Sequence, residues 1–104
     1  MAEPDQAESF EWDDDQLDRG NTAHLAESRP DRPSIAWWEV EEVFANGGGR
    51  FVPNKRGRAG DWLLVGETDG GRMLTVVVRY DSARRMLRAI TGWECTAGER
   101  ARYL

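Results

Sequence analysis

Residues 72–94 read RMLTVVVRYDSARRMLRAITGWE, and this stretch decides how the chain folds. Its first part, 72–80, is dense in β-branched residues, which favour strands, so we predict the central strand of a sheet here. DSARR at 81–85 turns the chain, and MLRAITGWE at 86–94 gives another strand of similar length. The pattern therefore predicts a β-hairpin at the centre of the fold.

The two faces of this hairpin differ in chemistry, because side chains alternate along a strand. The first strand has one face of aliphatic side chains, Leu74, Val76 and Val78. Strict alternation along 86–94 places four residues on one face of the second strand, Leu87, Ala89, Thr91 and Trp93. We predict a mixed face that suits RNA, through phosphate contacts and base stacking, from Thr75, Arg79, Thr91 and Trp93.

The sequence before this hairpin predicts a tail, a short strand and two helices. Residues 1–8 are acidic and poor in apolar residues, so we expect a disordered tail. SFEW at 9–12 reads as a strand, and a helical pattern runs from Gln16 to about Glu27. A second helix is predicted after Ser34 as its N-cap. Its apolar stripe is Trp37, Val40 and Phe44, widened by Ile35 and Trp38.

Three shorter signals complete the predicted fold. RFVP (50–53) and DWLLVGE (61–67) read as strands, and TDGG (68–71) as a hairpin turn. TAGE (96–99) is a capping box that opens a C-terminal helix, with Thr96 as N-cap. The order predicts an α+β fold: an antiparallel sheet of about four to five strands, two N-terminal helices packed on one face and a short C-terminal helix. We expect a single domain over 9–104, with the other sheet face open.

Composition limits the class of protein. A chain of 104 residues with 39% hydrophobic and 32% charged residues indicates one small soluble domain. No apolar run approaches the roughly 20 residues that span a bilayer, so we expect no membrane partner. The single cysteine, Cys95, excludes an internal disulfide and fits a reducing, cytoplasmic location.

The charge is distributed unevenly along the chain. Residues 1–46 carry 13 acidic and three basic side chains, whereas residues 47–104 carry six acidic and 11 basic ones. The two parts therefore have net charges of −10 and +5. All the basic residues except Lys55 are arginines, whose guanidinium binds phosphate through two parallel hydrogen bonds. The basic part predicts an anionic partner such as RNA, with a solvated mixed surface as the alternative.

Few residues suit metal or nucleophilic chemistry. One histidine, one cysteine and scattered carboxylates give no cluster with the spacing of metal ligands, so we predict no metal and no cofactor. His24 reads as a helix histidine that packs on the sheet or pairs with a carboxylate, and alternatively as a substrate contact. Cys95 reads as a small buried hydrophobe, and alternatively as a reactive thiol at a helix start.

Four segments in order resemble one family. They are FEWDDDQLDRGNTAHLA, with F-x-W-D followed by N-x-x-H; WEVEEVFANG; WLLVGETDGGRMLTVVV, with G-R-x-L-x-V-V; and RAITGWECTAGERARYL, with a closing E-R-x-x-Y. Together they are similar to the BrnT toxins of the RelE/ParE-like superfamily, over about residues 10–104. The resemblance implies a RelE-like fold and the toxin of a type II toxin–antitoxin system, a metal-independent, mRNA interferase-like ribonuclease that inhibits translation.

The same resemblance implies partners and site residues. The partners are RNA, including ribosome-associated RNA, and a cognate antitoxin of the ribbon-helix-helix type, which would form a hetero-oligomer with the toxin and repress its own promoter. From the resemblance and the mixed sheet face we predict four catalytic residues, His24, Arg79, Arg88 and Arg100. We predict five RNA-binding residues, Arg56, Arg58, Arg72, Trp93 and Tyr103.

Two positions depart from the family pattern. AESRPDRPSIA replaces a shorter turn between Leu25 and Trp37, and Trp93 stands where the family keeps an arginine. Losing one charge-stabilising donor commonly costs about 10²–10³ in rate, and Arg79 on the neighbouring strand is its expected replacement. Two alternatives stay open. One is a catalytically impaired module that binds an antitoxin and acts in transcriptional autoregulation. The other is a small regulatory domain whose basic half binds an acidic protein.

Overall fold

A computed structural model describes residues 4–13, 20–27, 34–46, 50–54 and 62–103. The α-helices are Asn21–Ala26 (α1), Trp37–Ala45 (α2) and Ala97–Tyr103 (α3). The strands are Ser9–Phe10 (β1), Arg50–Pro53 (β2), Trp62–Glu67 (β3), Met73–Asp81 (β4) and Met86–Glu94 (β5). Within this part of the chain, no helix has the length and apolar composition needed to cross a membrane.

The five strands form one sheet in the order β1-β5-β4-β3-β2, so β4 is central, as predicted. Strands β2 to β5 are antiparallel neighbours, but β1 pairs in parallel with β5. The α+β class is confirmed, whereas the prediction of a wholly antiparallel sheet is wrong at this pair. No hairpin links β1 to β5, so turn geometry does not fix their relative direction.

The turn between β3 and β4 lies where the glycines predict it. The backbone N–H of Thr68 donates to the carbonyl of Arg72 over 2.8 Å, and that of Gly71 donates to the carbonyl of Thr68 over 3.0 Å. Gly71 has a φ of 88°, which glycine adopts without the steric cost that a side chain brings.

A β-bulge changes which side chains of β5 share a face. Val77 pairs with Thr91 and Val78 pairs with Ala89, so Ile90 is an extra residue without a partner position. Ala89 therefore faces the core beside Val78, while Thr91 lies opposite Val77 on the other face. The strict alternation predicted for this strand is therefore wrong at Ile90. The bulge was not predictable, because it leaves no periodic pattern in the sequence.

The core lies between the sheet and the two N-terminal helices. Helix α1 packs over β5 and helix α2 over β3 and β4, which confirms the prediction of two helices on one face. The fully buried side chains of this core are Leu25, Ile35, Val40, Val43, Leu64, Leu74, Val76, Val78, Leu87 and Ala89.

Of the apolar stripe predicted for helix α2, Ile35 and Val40 lie in the core and Phe44 packs against it, whereas the two tryptophans do not lie in it. It begins at Trp37, after Ala36 rather than Ser34, and the N–H of Ala36 donates to Oε1 of Glu39 over 3.0 Å. Val40 is fully buried, whereas Trp37 and Trp38 are 41% and 55% exposed. Ile35, in the extended segment before the helix, is 1% exposed, so its predicted place in the core is confirmed.

The opposite face of the sheet is not open along its whole length. Val65 and Thr75 are fully buried, and Val77 is 5% exposed. Oε1 of Glu99 on α3 lies 3.3 Å from Oγ1 of Thr75, so this helix reaches that face. The expectation of an open face fails near Thr75, because the capping box turns the chain back toward the sheet.

The N-terminal segment contacts the turn between β4 and β5. Pro4–Gln6 form a short 3-10 helix, and Pro4 is buried. The N–H of Glu8 donates to the carbonyl of Arg85 over 2.8 Å. Residues 1–3 of the predicted tail lie outside the described residues, and the domain boundary near residue 9 stays a prediction.

Candidate functional site

Two of the predicted catalytic arginines lie next to each other on the sheet. Arg79 of β4 and Arg88 of β5 are direct partners in the antiparallel register. Directly opposed Cβ atoms in such a pair are about 5 Å apart. Because Arg79 follows Val77 by two positions, both arginines project from the face opposite α1 and α2.

Arg88 is held by a carboxylate that sequence reasoning did not place in the site. Its Nη1 donates to Oδ1 of Asp13 over 3.0 Å, and its Nη2 donates to Oδ2 of Asp13. This bidentate bond and the hydrogen bond from the Asn21 N–H lower the pKa of the Asp13 carboxyl. The hydrogen bond to Asp13 also raises the pKa of Arg88, against the effect of burial. Much of the charge of Arg88 is therefore balanced within the chain.

Asp13 also fixes the start of α1. Its Oδ2 accepts a hydrogen bond from the N–H of Asn21 over 3.0 Å, and its own N–H donates to Oδ1 of Asn21 over 2.8 Å. Its carbonyl accepts a hydrogen bond from Oγ1 of Thr22 over 2.7 Å. Since Gly20 at the N-cap has no side chain to offer, Asp13 satisfies an N–H of the first turn in its place. The W-D and N-x-x-H segments thus meet in one hydrogen-bonded corner.

A second group of charges borders this corner. Arg84 donates to both carboxylate oxygens of Glu11, over 3.2 and 3.1 Å, and to Oδ2 of Asp81 over 2.8 Å. The hydrogen bonds to Arg84 lower the pKa of Glu11 and of Asp81. These groups are exposed, so each pair adds little stability. Their carboxylates do reduce the positive potential of this edge.

His24 of α1 contacts strand β5. It lies half-buried on α1, and its Nε2 is 3.2 Å from Oγ1 of Thr91. The direction of this hydrogen bond depends on the tautomer of the imidazole. The structure therefore places His24 against a hydroxyl of β5, the strand that also carries Arg88.

Trp93 is fixed by the C-terminal helix. Its Nε1 donates to Oε1 and Oε2 of Glu99, over 3.0 and 3.1 Å. Glu99 also accepts hydrogen bonds from the N–H of Thr96 over 3.0 Å and from the hydroxyl of Thr75 over 3.3 Å. The N–H of Glu99 donates back to Oγ1 of Thr96 over 3.1 Å, which confirms the capping box. A carboxylate thus lies beside the indole that we predicted to stack on a base.

Cys95 lies beneath this group. Its Sγ is 3.2 Å from Oγ1 of Thr75, and the residue is 9% exposed. Burial is the main cause that raises the pKa of the thiol. The arrangement fits the interpretation of Cys95 as a small buried hydrophobe, because a protonated, buried thiol is a weak nucleophile.

Arg72 lies apart from the arginine pair, at the start of β4. Its Nη1 donates to both carboxylate oxygens of Glu39, over 2.8 and 2.9 Å, and its Nε donates to Oε2 of Glu94 over 2.9 Å. Burial lowers the pKa of Arg72, but the hydrogen bonds to Glu94 and Glu39 outweigh it and raise the pKa overall. Arg72 therefore joins α2 to the end of β5, a structural role that sequence reasoning missed.

Of the four remaining predicted site residues, two lie on α3 and two lie outside the described residues. Arg100 is exposed on α3, directly after Glu99, and Tyr103 ends that helix. Arg56 and Arg58 lie outside the described residues. Among the described residues, no group of three or more His, Cys, Asp or Glu side chains is placed to hold a metal ion.

Asp13, Asn21 and Glu99 are the residues of this region that sequence reasoning missed or assigned only to a helix cap. Asp13 and Glu99 each bind a residue that we predicted as functional. A carboxylate placed before a Gly-Asn helix start was the available signal for Asp13.

Comparison with protein-family models, with curated proteins and with solved structures finds no match to this chain.

Proposed function

We propose that the chain is the toxin of a type II toxin–antitoxin system, a metal-independent ribonuclease that inhibits translation in the cytoplasm. In this proposal it has a RelE-like fold of the BrnT type and is neutralised by a ribbon-helix-helix antitoxin in a hetero-oligomer. The observation that carries the proposal is the direct pairing of Arg79 with Arg88, together with the contact of His24 with Thr91 on the strand that holds Arg88. The ordered resemblance of four segments supports it.

The proposed chemistry requires only side chains of this chain and water. The imidazole of His24 takes the proton of an RNA 2′-hydroxyl, and the resulting oxygen attacks the adjacent phosphorus. The bond from phosphorus to the 5′-oxygen breaks, and the 5′-oxygen takes a proton from water. The products are a 2′,3′-cyclic phosphate and a 5′-hydroxyl. Arg79 and Arg100 stabilise the negative charge that develops on the phosphorane oxygens.

In this scheme Arg88 orients the RNA phosphate, and its charge is largely balanced by Asp13. Asp13 fixes its guanidinium, and a phosphate that binds Arg88 competes with Asp13 for the same donors. Trp93 stacks on a base with its exposed part, while its indole N–H stays on Glu99.

A second candidate function is an antitoxin-binding module without ribonuclease activity that acts in autoregulation of transcription. The specific observation in its favour is the pair of carboxylates on this face, Asp13 on Arg88 and Glu99 on Trp93. Both repel an incoming phosphate. The position of Trp93, where the resembled family keeps an arginine, points the same way.

Induction of the gene in a bacterial host, with and without the product of the neighbouring gene, separates the two. The toxin proposal expects growth arrest, rescue by the neighbouring product, and loss of arrest in Arg79→Ala and Arg100→Ala. Arg102→Ala is the matched control, because it removes an exposed arginine from the same helix and should still arrest growth. If induction leaves growth and total RNA intact but the two products co-purify, the second candidate replaces the first.

A further inference from the structure

The first turn of α2 exposes two adjacent tryptophans. Trp37 and Trp38 are 41% and 55% exposed, although large aromatic side chains are usually well buried. Their ring centroids are 5.9 Å apart and their planes meet at 87°, so they form a right-angled corner. Val40 and Val43 of this helix are fully buried in the core, and Phe44 packs against it. The two indoles are therefore not needed to fill it.

Neighbouring rings hold this corner in place. Trp12 lies 6.3 Å from Trp37, and Trp12 stacks on Phe10 at 5.6 Å. The Nε1 of Trp12 donates to Oε2 of Glu41 on α2 over 2.7 Å. The aromatic surface formed by Trp12, Trp37 and Trp38 is thus anchored to the core through Phe10 and to the helix through Glu41. A rigid aromatic surface binds a partner with little loss of conformational entropy.

The charge around these rings is negative. Helix α2 carries Glu39, Glu41 and Glu42 and has neither lysine nor arginine. Glu39 is bound by Arg72, but Glu41 and Glu42 accept hydrogen bonds from the indole of Trp12 and the backbone N–H of Asp69, which carry no charge. These bonds leave both carboxylate charges in place.

The helical spacing puts the charges beside the rings. Glu41 follows Trp37 by four positions and Trp38 by three, and Glu42 follows Trp38 by four. Side chains at these spacings are neighbours on a helix surface. A cation that stacks on an indole face here also meets a carboxylate, and cation–π attraction is strongest for tryptophan.

We infer that the aromatic surface of Trp12, Trp37 and Trp38 is a docking site for a cationic segment of a partner protein. The segment carries arginine or lysine side chains that stack on the indoles, next to apolar side chains that cover the rings. The net charge of −10 over residues 1–46 attracts the same kind of segment. This inference does not rest on the proposed function.

The test uses a synthetic peptide of alternating arginine and leucine as the probe, titrated into the full chain. The indole N–H signals of all five tryptophans are followed by two-dimensional NMR and assigned with single variants. We expect the signals of Trp37 and Trp38 to shift, while those of Trp62 and Trp93 stay in place. Trp38→Ala should weaken binding by about tenfold, and Trp38→Phe should restore most of it.

The controls separate docking from general attraction to an acidic protein. Glu42→Gln should weaken binding, whereas Glu67→Gln, an exposed carboxylate on β3, should not. Replacing arginine by glutamate in the peptide should abolish binding. Equal binding by Trp38→Ala, or shifts centred on Trp93, overturns the inference. Self-association of the wild type that is lost in Trp38→Ala also overturns it, because a second copy then occupies the surface. No arm uses RNA or growth, so loss of ribonuclease activity leaves this test unaffected.

Discussion

Gly20 and Asp13 approach so closely that a Cβ atom added to residue 20 would lie 2.7 Å from the Cβ of Asp13. Gly20 has a φ of −74° and a ψ of 160°, which any residue adopts, so the requirement for glycine here is steric. The close approach lets the Asp13 carboxylate reach both Asn21 and Arg88. The missing side chain of Gly20 thus allows Asp13 to contact both the start of α1 and Arg88.

Gly20→Ala should therefore destabilise the protein by about 1–3 kcal/mol, the usual cost of an extra carbon in a packed place. Gly98→Ala is the matched control. Its added Cβ would meet only Oγ1 of Thr96, at 3.8 Å, and alanine in a helix gains about 0.5 kcal/mol over glycine. Urea unfolding of both variants measures the difference. An equal stability of the two variants would contradict the close contact.

Asp13→Asn should lower stability in a way that depends on pH. The pKa of Asp13 is lowered in the folded state, so its contribution is present above the pKa of about 3.9 that an unfolded aspartate has. That contribution is lost as the pH falls through the folded pKa. The urea midpoints of wild type and variant should differ most at neutral pH and converge once the pH lies below the lowered folded pKa of Asp13. Asp69→Asn, in an exposed turn, is the control, and a gap that does not close in acid would refute the assignment.

The stability of the protein should fall more on removal of the Glu99 side chain than on removal of the N-cap hydroxyl of Thr96. Thr96→Ala removes one capping hydrogen bond and should cost about 1 kcal/mol. Glu99→Ala also leaves the indole N–H of Trp93 and the hydroxyl of Thr75 without this acceptor, so we expect about 1–3 kcal/mol. Chemical unfolding followed by circular dichroism measures both. An effect of Glu99→Ala no larger than that of Thr96→Ala would argue against the contact with the sheet.

The elements with strong local signals were predictable from the sequence. Strand β2 and strand β5 have the predicted bounds, and Thr96 and Glu99 form the predicted cap, because β-branched runs, glycine turns and capping boxes act within a few residues. The parallel partner of β1 and the extra residue at Ile90 depend on distant pairing, which has no local pattern.

The site was less predictable for a related reason. The sequence indicated Arg79, Arg88 and His24 as candidates. In the structure Arg79 pairs with Arg88, and His24 contacts Thr91 of the same strand as Arg88. It could not indicate that Asp13 binds Arg88, since the two lie 75 positions apart. The predicted core role of Trp37 failed because a helical stripe alone does not tell which apolar residue the core accepts.

Trp93→Arg tests whether Trp93 limits the proposed reaction. If this position supplies a charge-stabilising arginine in the resembled family, its return should raise the rate of RNA cleavage by about 10²–10³. Trp93→Phe removes the indole N–H but adds no charge, and its rate should not rise. Cleavage of a labelled RNA by purified variants, at matched concentration, measures the effect. A decrease in Trp93→Arg would indicate that the indole itself binds the substrate.

The rate of RNA cleavage by wild type and by Arg79→Ala, in the presence of a metal chelator, is the decisive measurement of the proposed metal-independent ribonuclease activity. The claim predicts that the wild type cuts RNA to products with a 2′,3′-cyclic phosphate, and that Arg79→Ala cuts at least about 10²-fold more slowly. Arg102→Ala should cut at the wild-type rate. Equal rates for Arg79→Ala and the wild type, or intact RNA with every protein, would contradict the claim.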